Sequence, residues 1–329
     1  MANKNVFKSP VSLARQVPAA DAVNHAGGVA YSMADEQALA QLAVTGTFND
    51  TFYADAESQA KDILALAQRV DTEYLAKVAV YARESGLMKD TSALLLAVLA
   101  ARDVRLFTQA FPRVVDNGKM LRNFCQIIRS GVTGRKSFGS APKRMIANWI
   151  NARSDEQLFN DTVGNDPSLV DVIKMVHPKP ANPGREAFYA YLLGKKHNVL
   201  ALPAIVGEFE RFKAAGAGNR EVPKVDFRML SAMSLSEKEW TGIAKAARWQ
   251  MTRMNLNTFA RHGVLKDPEM VKMISERLRS EKDIKGAKAF PYQLLSAFQN
   301  MESTMPASIT NALQDAMEIS TANVPSFAG

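Results

Sequence analysis

Lysine and arginine are the residues of this chain whose placement points to chemistry, because they gather where acids are absent. From Asn117 to Ser154 there is no Asp or Glu, yet the stretch holds Lys119, Arg122, Arg129, Arg135, Lys136, Lys143, Arg144 and Arg153. A second acid-free window, Thr241 to Lys266, holds Lys245, Arg248, Arg253, Arg261 and Lys266. The windows carry +8 and +5, and the other 28 basic and 33 acidic residues sum to −5, so the net +8 is concentrated in two places. Solvated faces ordinarily mix both signs, whereas long single-sign windows supply the potential a polyanion needs. Charges scattered over separate helix faces are the competing reading.

Within the first window, Gly134-Arg-Lys-Ser-Phe-Gly139 is a glycine-flanked basic loop with one aromatic. It runs into an expected helix with Ser140 at its N-cap and Lys143, Arg144 and Trp149 along it. Backbone N–H groups at such a helix start donate to phosphate oxygens, and Arg and Lys add charge. Phe138 offers a face on which an unpaired base can stack, against the plainer reading of core packing. For Trp149 core packing is the preferred reading. In the second window Arg253, Asn257 and Arg261 fall four apart, one stripe along a helix. Met251, Met254 and Phe259 read there as core. His177, in Lys174-Met-Val-His-Pro-Lys-Pro180, ends a helix beside prolines, a position usually taken by a cap or a packed residue.

Spacing for catalysis or metal binding is missing. His25, His177, His197 and His262 lie far apart without ligand-type neighbours four residues on, and Cys125 is the single cysteine, so local spacing builds no zinc site. Gly131-Val-Thr-Gly-Arg-Lys-Ser137 has two residues between its glycines where a phosphate loop has four, and no strand precedes it. Gly131-x-x-Gly134 also matches the clamp of KH domains, but helical surroundings do not supply that small α/β fold. No enzyme, cofactor or metal is expected.

The elements that must hold these residues are helices. Ile63, Leu64, Leu66 and Val70, then Leu75, Val78, Ala79 and Ala82, recur at helical spacing. Ser154-Asp-Glu-Gln157 and Ser236-Glu-Lys-Glu239 fit the capping box, and Asp166-Pro167 and Asp267-Pro268 combine an N-cap with proline at N1. Gly86, Gly118, Gly194, Gly216 and Gly263 read as stops. Only Gly28–Met33 and Thr45–Tyr53 alternate, as hairpin or extended loop. Helices of about 10–16 residues in a chain of 329 fit about seven pairs at the HEAT/armadillo period, with a globular helical domain as the alternative. Ala215–Lys224 and His177–Gly184 resemble linkers but are too short to force a boundary, so one domain over 1–329 is expected.

Composition excludes other classes. An apolar fraction of 47% and a charged fraction of 22% argue against wholesale disorder. One cysteine and a start without an apolar core argue against a secreted scaffold. The longest apolar run, Ala93 to Ala101, is about half a membrane span. A cytoplasmic protein without a membrane partner is expected.

At these segments the sequence resembles the TROVE module of the Ro autoantigen and its bacterial orthologues. The matching pieces occur in family order over essentially the whole chain: Asn24-His-Ala-Gly-Gly-Val-Ala-Tyr31 with Leu42–Tyr53, the Gly134–Gly139 loop leading to Lys143 and Trp149, Lys174–Pro180, Arg253–Gly263, and Phe290-Pro-Tyr292. The resemblance implies an all-α ring-shaped solenoid of HEAT-like repeats, with short hairpin-like pieces at the N-terminus and a positively charged central hole. It implies that the single-stranded 3′ end of misfolded or unprocessed RNA enters the hole, while small noncoding Y RNAs bind a basic outer face and gate access. By position, His177 and Lys179 match the motif assigned to the Y-RNA surface, and Arg135, Lys136, Lys143 and Arg144 match the basic loop-helix. With the two windows, the expected RNA-binding set is Lys119, Arg122, Arg135, Lys136, Lys143, Arg144, Lys174, His177, Lys179, Arg248, Arg253, Arg261 and His262. An exoribonuclease such as polynucleotide phosphorylase is the implied protein partner.

Two departures from the family stand out. Vertebrate Ro is basic upstream of its His motif, whereas Ser154–Asp166 here holds Asp155, Glu156, Asp161 and Asp166. Full-length Ro continues into a von Willebrand A-like domain that begins its metal site with Asp-x-Ser-x-Ser, and no such pentapeptide occurs here. The expectation is a module without that domain, as a stand-alone protein or a trimmed one, whose ring is closed by packing of its two ends or left open. The rivals are a protein-binding α-solenoid with acidic partners and an assembly component of a larger ribonucleoprotein particle.

Overall fold

The computed structural model describes residues 20–324, apart from His25, Thr47, residues 49–54, Arg135, Ala217 and Asn219. Nineteen α-helices lie among the described residues, and the all-α expectation holds. In chain order the first are α1 (Asp35–Thr45), α2 (Ala56–Arg69), α3 (Thr72–Glu84), α4 (Asp90–Arg102), α5 (Val104–Val114), α6 (Gly118–Ser130) and α7 (Ser140–Ala152). Next come α8 (Asp155–Asp161), α9 (Leu169–Val176), α10 (Pro183–Leu192), α11 (Ala204–Ala214), α12 (Phe227–Ser231) and α13 (Glu237–Ala246). The last are α14 (Trp249–Met254), α15 (Leu256–Arg261), α16 (Pro268–Leu278), α17 (Glu281–Ala287), α18 (Pro291–Gln299) and α19 (Ala307–Ser320).

Two strands precede them, β1 (Ala22–Val23) and β2 (Val29–Ala30), paired antiparallel with Ala22 opposite Ala30. The Asn24 side-chain oxygen closes their turn by accepting from the N–H groups of Ala26 and Gly28. The alternation at Gly28–Met33 therefore belongs to a hairpin, while most of Thr45–Tyr53 lies outside the described residues. No helix among the described residues is long and apolar enough to cross a membrane.

The chain divides into two compact units: the first takes the residues up to Ala152 together with Gly164–Lys179, the second Arg153–Val163 together with Pro180 onward. In the first unit α4 is the central helix. Every residue from Thr91 to Ala100 is buried, because α2, α3, α5 and α6 all pack against it. A helix covered on all sides reads as a continuous apolar run, which explains Ala93–Ala101. The two hydroxyls in that buried stretch are satisfied, Thr91 by the Ala43 carbonyl at 2.8 Å and Ser92 by Met88 at 2.9 Å. Phe107, Phe111 and Phe124 join α5 to α6 with ring centroids 5.5–5.8 Å apart. Most helix contacts in this unit join neighbours one to three places apart along the chain, the contact pattern of stacked helical repeats.

The second unit has its own core, with Trp240, Trp249, Phe259, Ile274, Leu278 and Leu313 among its buried residues. There α16 packs on α19 and α14, and α18 and α17 pack on α19.

Most cap signals are realised. Ser154 and Ser236 form capping boxes with Gln157 and Glu239, and Asp267 accepts from the Glu269 N–H with Pro268 at N1. Three boundaries differ from expectation. Asp166 does not cap a helix; Ser168 and Asp171 form a capping box two residues later. Gly118 opens α6 under an Asn117 cap and does not end a helix. Helix α7 begins at Ser140 itself, so the cap position falls on Gly139, whose φ of 70° suits a residue without a side chain.

Candidate nucleic-acid interface

Up to Ala152 the first basic window lies in the first unit, on α6, the 131–139 loop and α7, and α9 packs against both helices. Arg153 belongs to the second unit and pairs there with Asp161 at 2.9 Å. The loop is shaped by Gly131, Gly134 and Gly139, all at positive φ, and closed by a 2.9 Å bond from the Gly134 N–H to the Gly131 carbonyl. A Cβ on Gly131 would fall 3.0 Å from Cγ and Cε of Lys136, so the aliphatic stem of Lys136 lies across this glycine. The residue itself is exposed, the usual arrangement of a lysine that covers backbone and leaves its ammonium in water.

The aromatics of this segment serve the core. Phe138 is 4% exposed, which removes the base-stacking expectation for it. Trp149 donates its indole N–H to the Val115 carbonyl at 2.8 Å and fastens α7 to the end of α5.

Lys119, Lys136, Lys143, Arg144, Lys174 and Lys179 are exposed and make no ion pair among the described residues. Arg135 lies outside the described residues. Arg122 differs from the exposed set: it is buried, and Gly164 lies so close that a Cβ there would be 2.5 Å from its Nη2. Its charge is used inside the unit, where α6 meets the chain before α9.

His177 terminates α9 in the left-handed region (φ 53°, ψ 58°), with its N–H bonded to the Ile173 carbonyl at 2.9 Å and its side chain exposed. The Asn151 amide donates to the Lys179 carbonyl at 3.0 Å and holds this segment at the far end of α7. At 1.5 Å per residue, the seven residues from Arg144 to Asn151 span roughly 10 Å. The basic loop and the His motif thus occupy opposite ends of one helix. Asp171 on α9 is an acid that feels the charges of Lys174 and Arg129. The Ser168 hydroxyl and N–H hold its carboxyl below the usual range, with smaller contributions from Lys174 and Arg129.

The second window lies in the second unit, and its charges are more fully used there. The expected single helix over Trp249–His262 breaks at Asn255 (φ −119°, ψ 17°) into α14 and α15. The Arg253–Asn257–Arg261 stripe still faces one neighbour. Arg253 donates to the Gln293 carbonyl (2.8 Å), Asn257 donates to the Asn300 carbonyl (2.7 Å), and Arg261 pairs with Glu302 (3.2 Å). Burial lowers the Arg253 pKa, so this guanidinium is turned inward. Lys266 pairs with Glu237 at 3.3 Å. His262 is exposed and stacks on the buried Trp240, centroids 4.2 Å apart and planes within 13°. Arg248 is exposed and makes no ion pair among the described residues. Arg129 and Lys245, outside the expected set, are exposed as well; the acid-free windows were the signal that contained them. No cluster of His, Cys, Asp and Glu that could hold a metal occurs among the described residues.

Known proteins resemble the chain over the same ground. The TROVE domain pattern matches residues 100–323, running through both units. An RNA-binding protein RO60 of Deinococcus radiodurans is 24% identical over 299 residues, covering 83% of this chain and 55% of that protein. The crystal structure of the Deinococcus radiodurans RO (RSR) protein aligns with a TM-score of 0.64 at 18% identity, over 89% of this chain and 65% of that one. The chain thus spans little more than half the length of the curated relative it matches, and the shared fold is the helical-repeat fold of the RO protein. With the family pattern covering most of its helices and both basic windows, the chain belongs to the TROVE domain family.

Proposed function

We propose that this chain binds RNA, chiefly through phosphate contacts made by the exposed cations of the first unit. The observation that carries this reading is that Lys136, Lys143, Arg144, Lys174 and Lys179 project from one compact unit without a carboxylate partner among the described residues. Cations already paired within the protein have less left for phosphate, and in the second window Arg261 and Lys266 are paired with Glu302 and Glu237. Arg248, Arg261 and His262 contribute a secondary surface in this reading, and Arg122 and Arg253 act from inside. The finer reading takes structured RNA with a single-stranded 3′ end and Y-like noncoding RNA as ligands, in RNA quality control or processing with an exoribonuclease, without catalysis by this chain. The RO60 relative's name, RNA-binding protein, supports the general class of ligand.

A filter-binding titration across salt concentrations tests it. Log affinity should fall linearly with log salt, and a duplex with a 3′ tail should bind more tightly than a blunt one. Replacing Lys136, Lys143 and Arg144 together by Gln should weaken binding across sequences and reduce the salt slope by about 1 per lost phosphate contact. A salt-independent affinity, or one unchanged by the triple replacement, would refute the reading.

A further inference from the structure

The second unit contains a groove of about 1000 Å³ between the 222–228 segment and the α13–α14 corner. Its exposed lining is mostly apolar, with Val222, Val225, Ile243, Ala247 and Met251 among the residues that form it. Met254 stands at its edge and is 68% exposed, so its side chain is within reach of an occupant of the groove. Methionine is flexible and polarisable, so a groove edged by Met251 and Met254 adapts to side chains of varied shape.

The uncompensated charge of this lining is positive. Lys224 on one wall and Arg248 on the other are exposed and make no ion pair among the described residues. Arg228 is occupied by Asp226 at 3.0 Å, and Asp226, the single carboxylate of the lining, also has its N–H held by Asn160 at 2.6 Å. The groove thus presents an apolar floor between two uncompensated cations.

We propose that this groove is a docking site for an acidic protein segment that presents aliphatic side chains. The apolar floor would bury those side chains, and Lys224 and Arg248 would meet flanking carboxylates. A nucleic-acid occupant fits less well, because bases stack on flat aromatic faces. Phe227 is the one aromatic of the lining, and its ring is committed edge-on to Trp240, with centroids 5.9 Å apart and planes at 61°. The proposal does not rest on RNA binding, and neither Met254 nor Lys224 belongs to the RNA surface proposed above.

The test uses the whole chain with 13C-labelled methionine methyl groups, followed by NMR. The probes are a synthetic peptide of alternating Leu and Glu, the same peptide with Lys for Glu, and single-stranded oligouridine. The acidic peptide should shift the Met251 and Met254 methyls, and the Lys version should not. Met254→Glu and Lys224→Glu should each weaken the acidic peptide roughly tenfold. Both positions are exposed, and if Met254→Glu fails to fold, Lys224→Glu carries the test. No shift at about 1 mM acidic peptide, equal shifts with the Lys peptide, or oligouridine shifts at Met251 and Met254 that match those of the acidic peptide and weaken equally with Met254→Glu would overturn the proposal.

Discussion

Arg122 and Gly164 form a close contact whose two halves lie 42 residues apart in sequence. Gly164 has a φ of 132°, open only to glycine, and a Cβ there would press on the buried guanidinium. Gly164→Ala should therefore cost about 1–3 kcal/mol, read as a lower urea midpoint. Gly134→Ala, also at positive φ but facing open space, should cost about 1 kcal/mol. Glu239 is a second residue whose role is internal. Burial raises its pKa, but the Arg220 guanidinium at 2.6 Å and the Ser236 N–H and hydroxyl outweigh that and bring it down to about 2. A folded-state pKa below the usual 4.5 means the contribution is present above pH 4.5 and lost as pH falls from 4.5 toward 2. Glu239→Gln should flatten the stability profile in that acid range and lower stability at neutral pH by about 3 kcal/mol, since Arg220 would lose its partner. Both residues sit in segments the sequence marked for other reasons, a basic window and a capping box. Residue type and spacing do not disclose burial.

Short helices in the second unit are joined by arginines that bond to carbonyls at helix ends. Arg277 on α16 donates to the carbonyls of Ala244 (2.7 Å) and Lys245 (2.9 Å), and to the Thr252 hydroxyl (3.1 Å). One side chain thereby satisfies the C-terminal end of α13 and ties it to α14, and burial lowers its pKa. Arg277→Ala should cost about 2–3 kcal/mol in thermal or urea unfolding, because the partly buried Ala244 carbonyl and Thr252 hydroxyl lose their donor. Arg277→Lys should recover only part of that, since an ammonium cannot reproduce the fork. Helix identity was legible: the periodic apolar runs and the caps at Ser154, Ser236 and Asp267 became helices with the expected starts. The break at Asn255 was not, because the residues on both sides of it keep a helical pattern while tertiary bonds to α18 and Glu302 set the turn.

At the scale of the molecule, the difference between the two basic windows governs what neutralisation should do. Removing Lys136, Lys143 and Arg144 deletes exposed charge, so RNA affinity should fall while the melting temperature holds within a few degrees. Removing Arg253 deletes a half-buried bond as well, so stability should fall along with any loss of affinity, whereas the exposed Arg261–Glu302 pair contributes little to stability. Circular dichroism melts beside filter binding separate the two outcomes. The sequence by itself determined the helical class, most helix starts, the concentration of charge in two windows and the membership in a family, all of which depend on local pattern or order along the chain. Tertiary structure alone decided which of those charges face water. It turned Arg122 and Arg253 inward, paired Arg261 and Lys266, buried Phe138, and set the basic loop and His177 at opposite ends of α7. The physical reason is that a charge in sequence has a sign but no partner. Its availability depends on carboxylates and carbonyls brought near by packing between segments tens of residues apart.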